Sequence, residues 1–117
     1  MACAPSRIER FNDRLEEYNQ ALRWATPPRI KSCVSVPKRD SLLPDLSAQL
    51  EEENVVDFSV TDVKLDKKTK RAFATVNYTF YRNDTQAVKD RIERLSWEYG
   101  GTPEAWYLVA RDIVRIK

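Results

Sequence analysis

The chain has 117 residues, two cysteines and no histidine, and its 20 Lys and Arg against 18 Asp and Glu leave a net charge of +2. That length predicts one domain able to bury about two-thirds of its unfolded surface. Without histidine there is no Ser-His or Cys-His nucleophile pair, and two cysteines alone make no zinc site; a charge this small carries no nucleic-acid footprint.

Residues 6–26 predict the first helix. Ser6 and Glu9 have the spacing of a capping box, in which the hydroxyl takes an orphan backbone N–H and the carboxylate reaches back. Ile8, Phe11, Leu15, Tyr18, Leu22 and Ala25 then recur at three and four, giving one apolar stripe. Pro27-Pro28 reads as its end. Residues 29–36, RIKSCVSV, alternate Ile30, Ser32, Val34 and Val36 with Arg29, Lys31, Cys33 and Ser35, which predicts a half-buried strand containing Cys33. Residues 41–53 predict a short helix capped by Ser41, with Pro44 in its first turn and Leu43, Leu46 and Leu50 on one face.

From Val55 the period becomes two. Val56, Phe58 and Val60 share one face but Val63 and Leu65 take the other, so a bulge is expected near Thr61-Asp62. The loop DKKTK precedes RAFATVNYTFYR, whose even positions run from Ala72 and Ala74 through Val76 to Tyr78 and Phe80. Small residues at one end and large ones at the other suit a sheet that curls around a helix. Asn83-Asp84 is turn chemistry. Residues 86–99 fit two readings: Val88, Ile92, Leu95 and Tyr99 have helical spacing, whereas Leu95, Trp97 and Tyr99 alternate, with Trp106, Leu108 and Ala110 following across GGTPEA as in a β-hairpin. The tail IVRIK ends or flanks the last strand.

Three groups of residues invite a functional reading. Cys3, behind the small Ala2 and ahead of Ala4-Pro5-Ser6, reads as a lipid-bearing cysteine on a tether of residues 1–5, with residues 6–117 as one domain. Stable attachment would take two or three acyl chains. Tyr78, Phe80, Trp97 and Trp106 form a candidate ligand or partner face, lining a cavity between helix and sheet; core packing is the plainer alternative. Asp57, Asp62, Asp90 and Asp112 sit on predicted strands, where one turned into an apolar cavity could act as a base, but alternation puts each on a wet face. The opposite-sign runs Glu51-Glu52-Glu53 and Lys67-Lys68-Thr69-Lys70 read as solvated ends of elements. The two glycines are adjacent and build no phosphate loop, so no cofactor, metal or catalytic residue is expected.

The segments ATVNYTFYR (74–82) and WEYGGTPEAWYLV (97–109) resemble the cystatin-like superfamily in its nuclear-transport-factor-2-like form, as found in small bacterial lipoproteins. The resemblance implies an α+β fold, with a long N-terminal helix gripped by a curved antiparallel sheet of about four strands. It implies a strand over 88–99. The tail ARDIVRIK replaces the family's proline-containing ending, and the His/Asp pair of enzymatic members is missing. The expectation is therefore a non-catalytic adaptor or small-ligand binder. It would be held at a bacterial envelope membrane through Cys3, facing the periplasm, with an envelope protein or small ligand as partner and dimerisation open to it. The alternatives are a small enzyme with a buried carboxylate and a cytosolic interaction module.

Overall fold

The computed structural model describes residues 7–116, so Cys3, its tether and the Ser6 half of the capping box lie outside the described residues. Helix α1 (Arg7–Arg23) places Phe11, Leu15, Tyr18 and Leu22 in the core, as the stripe requires. Ala25, the last member of the stripe, has left the helix with φ 49°. Trp24 beside it is 70% exposed and donates its indole N–H to Gln20 Oε1 at 3.1 Å.

Residues 29–36 are not a strand. Pro27 and Pro28 open a second helix, α2 (Pro27–Cys33), because their fixed φ suits a first turn whose N–H groups lack helical partners anyway. Ile30, Cys33 and Val34 are buried at i, i+3 and i+4, whereas Ser32 and Val36 of the expected alternating set are exposed. Cys33 is thus a fully buried helix residue. Val34 meets the sheet in an isolated parallel bridge to Leu108, and the Ser35 N–H donates to the Leu108 carbonyl at 2.9 Å. Arg14 ties this corner together from α1, donating Nε to the Trp106 carbonyl at 2.9 Å and Nη2 to that of Ser32.

A 3-10 turn (Val36–Lys38) leads into α3 (Arg39–Glu52). Ser41 lies inside this helix, not at its cap, and its hydroxyl donates to the Lys38 carbonyl at 3.0 Å. Pro44 is internal as well. Leu46 is buried, with Leu43 and Leu50 packed on the core, as their shared face predicts.

The sheet is an antiparallel meander in the order β1 (Glu53–Asp66), β2 (Arg71–Arg82), β3 (Val88–Gly100) and β4 (Ala105–Ile116). In β1 the register slips between Val60 and Asp62, where the phase flip places a bulge, and again between Val55 and Asp57. Asp66 Oδ1 shapes the first hairpin by accepting from the Lys68 and Thr69 N–H groups at 3.0 and 3.4 Å. Every even residue of β2 from Ala72 to Phe80 is buried. Residues 88–99 are strand, paired with β2 from Val88 to Glu98, so the alternation of Leu95, Trp97 and Tyr99 wins over the helical spacing. In β4, Trp97 faces Leu108 while Ser96 faces Ala110, which leaves Val109 as an extra residue. That bulge reverses the phase of β4, so Leu108 and Arg111 both point at the helices.

Candidate functional site

The inner face of the sheet changes character along its length. At the end next to the β3–β4 turn it is aromatic and full. Phe11 packs edge-on against Trp97 and Trp106 with centroids 5.8 and 5.3 Å apart, and Tyr18 meets Trp97 at 5.5 Å. Tyr78, Phe80, Trp97 and Trp106 are all at most 3% exposed. All four aromatics are buried, and the space in front of Tyr78, Trp97 and Trp106 is taken by Asn19, Phe11 and Tyr18 of α1. Phe80 and Trp106 still reach open space, the first in a cleft described next and the second at a shallow hollow beside Arg10 and Arg14.

At the opposite end the inner face is charged. Arg91 and Glu93 point inward from β3, in phase with Leu95 and Trp97, and Arg111 joins them from β4. Arg91 Nε donates to Glu93 Oε2 at 2.9 Å and Arg111 Nε donates to Glu93 Oε1 at 2.8 Å. Arg91 Nη1 holds Glu53 at 3.0 and 2.6 Å, and Arg111 Nη2 donates to Gln49 Oε1 at 2.6 Å. Two guanidinium groups and two carboxylates therefore balance inside the protein, the condition for burying charge at all. Glu93 in turn raises the Arg111 pKa, against burial, which acts to lower it.

Behind this quartet Tyr78 donates its hydroxyl to Asn19 Oδ1 at 2.6 Å. Burial pushes the Tyr18 and Tyr78 hydroxyls above the ordinary phenol range. Among the described residues, the Tyr18 hydroxyl, Asn19 Nδ2 and Arg91 Nη2 are buried without a hydrogen-bond partner. Such orphans are rare in native interiors.

The charged end opens into a cleft of about 470 Å³ between α3 and the strand ends. Its wall is apolar at Ala48, Phe80 and Ile113 and polar at Gln49, Glu53, Arg91 and Arg111. Asp45, Glu52, Arg82 and Lys89 stand around it. The Arg91 guanidinium lies 4.6 Å over the Phe80 ring.

The acidic candidates lie elsewhere: Asp57, Asp62 and Asp112 are exposed and Asp90 half-buried, accepting from the Thr79 hydroxyl at 2.8 Å. Of the run Glu51-Glu52-Glu53 the first two are solvated, but Glu53 is paired to Arg91 with its side chain 12% exposed. Among the described residues no group of three or more Cys, Asp or Glu side chains is placed to hold a metal ion, and no helix is long and apolar enough to cross a membrane.

Helices packed on a curved four-stranded meander make this the nuclear-transport-factor-2-like fold. The chain is similar over 96% of its length to 99% of the crystal structure of a ketosteroid isomerase-like protein from Erwinia carotovora atroseptica SCRI1043, with a TM-score of 0.73 and 14% sequence identity. At that identity the likeness is one of fold, and fold leaves function to the site. No protein-family model matches the chain, and no curated protein matches it in sequence.

Proposed function

We propose that this domain binds a small organic ligand, without chemistry, in the cleft between α3 and the inner face of the sheet. The observation that carries the reading is the make-up of the cleft: about 470 Å³, within the range of ligand sites, with an apolar wall and a few convergent polar groups held rigidly behind it. The state of Glu93 supports binding over catalysis. It is buried, it does not line the cleft, and both its oxygens accept from arginines whose charge disfavours its taking a substrate proton. A fragment screen by NMR tests the reading. Fragments that bind are expected to shift the amides of Gln49, Phe80, Arg91 and Ile113 together. Hits that cluster instead at the β3–β4 turn, near Tyr99 and Tyr107, would move the site to the other end of the molecule.

The sequence supports a separate proposal about location: Cys3, behind Ala2, carries a diacylglyceryl group that holds the domain at a bacterial envelope membrane.

A further inference from the structure

Arg91 is an incompletely used guanidinium. Its Nε is committed to Glu93. Its Nη1 donates to both oxygens of Glu53. Its Nη2 is buried with no hydrogen-bond partner, although Arg91 lines the cleft. A guanidinium offers parallel donors along the Nη1–Nη2 edge, the geometry that a planar carboxylate matches with one oxygen per nitrogen. Glu53 does not use that geometry. It crowds both oxygens onto one nitrogen, from a backbone position at the junction of α3 and β1.

Resting on the reading of the cleft as a ligand site, we propose that its ligand carries a carboxylate, which takes the Nη1–Nη2 edge of Arg91 by displacing Glu53. One carboxylate replaces another, so the buried guanidinium stays neutralised throughout, and the incoming group satisfies the nitrogen that Glu53 leaves bare. Glu53 lines the cleft with its side chain already 12% exposed, so it can turn to water when it leaves. The exchange is matched at a single negative charge. A dianion would bring a second charge against Glu93 and against Asp45 and Glu52 nearby. Phe80 and Ile113 supply the apolar wall for the body of the ligand, so the class is a small monocarboxylic acid with an aromatic or branched aliphatic body.

The test is an NMR titration of the whole chain with benzoate, its neutral isostere benzamide and inorganic phosphate, in the native protein and in Glu53→Gln. The glutamine keeps a carbonyl oxygen for Nη1 but no charge, so the variant retains its partner for Arg91. Benzoate is expected to bind about tenfold more tightly than benzamide, the ordinary gain of a charge-assisted pair. In Glu53→Gln, benzoate affinity is expected to rise several-fold with benzamide unchanged. Equal binding of the two, with no response to Glu53→Gln, would overturn the carboxylate assignment and leave the cleft reading standing. Phosphate binding more tightly than benzoate at the same amides would overturn the planar monoanion. Shifts from none of the three in either protein would remove both this inference and the cleft reading beneath it.

Discussion

Glu93 and Arg111 pair diagonally across β3 and β4: Ile113 is the residue directly opposite Glu93, yet Arg111, opposite Leu95, reaches over to place its Nε 2.8 Å from Glu93 Oε1. The pairing depends on the Val109 bulge, which turns Arg111 inward. It also fixes what the charged end can tolerate. Replacing Glu93 by Gln strips one carboxylate from between two buried arginines and leaves them repelling each other. The expected cost is about 3–5 kcal/mol, the usual penalty for breaking a buried pair from one side. Urea unfolding of Glu93→Gln checks it.

The two buried tyrosines are expected to part company when each loses its hydroxyl. Tyr78→Phe takes a 2.6 Å donor from Asn19 and leaves that amide oxygen buried alone, at a cost of about 1–3 kcal/mol. Tyr18→Phe removes a hydroxyl that has no partner, so it is expected to be neutral or slightly stabilising. Melting temperatures of the two variants, measured side by side, decide the matter.

Stability is expected to fall in alkali. Burial raises the Tyr18 and Tyr78 pKa values in the folded chain above the value of about 10 that an unfolded tyrosine has. The folded state therefore keeps protons that the unfolded chain releases. The stabilisation is complete below about pH 10 and is lost as the pH rises above it, by about 1.4 kcal/mol per pH unit for each tyrosine. Urea midpoints taken on either side of pH 10 report the slope, and Tyr18→Phe/Tyr78→Phe is expected to flatten it.

Cys33 is expected to be inert in the native protein. It is fully buried on α2, and burial raises its thiol pKa, so little thiolate forms and reagent has no path to it. In a Cys3→Ala protein, iodoacetamide should alkylate Cys33 only once urea has unfolded the chain. Rapid alkylation at neutral pH without denaturant would show that α2 opens locally.

The envelope proposal has its own check. Palmitate fed to the host is expected to label the native chain and to carry it into the membrane pellet, and Cys3→Ala is expected to lose both. An unlabelled native chain in the supernatant would retire the proposal.

Much of the scaffold was legible because its signals were one-sided. The stripe of α1, the even positions of β2 and the phase flip at Thr61 each have a single geometric solution. Residues 29–36 had two. Ile30 and Val34 fit a period of two as well as a helical turn, and the prolines before them can end one helix or begin another. The charged quartet is hard to read from the sequence because charge in a strand ordinarily means a wet face. Yet extending the inward alternation of Leu95, Trp97 and Tyr99 backwards already lands on Glu93 and Arg91. Arg111 has no such signal, since its orientation hangs on a bulge at Val109 that nothing in WYLVAR announces. The aromatic face is only half legible for a different reason: whether large side chains line a cavity or fill it depends on what α1 brings to meet them, here Phe11 and Tyr18 against Trp97 and Trp106, while Phe80 keeps a place in the cleft wall.

The division of the inner sheet face into an aromatic half and a charged half sets two separate rules for how this sequence can drift. Around Trp97 and Trp106 the constraint is volume: a residue can change only if its neighbours give back the lost or added space. Around Arg91, Glu93 and Arg111 the constraint is sign, so a tolerated change there must arrive as a compensated pair. Distant relatives of this chain should therefore be recognisable by two kinds of paired substitution, size for size at one end of the sheet and charge for charge at the other.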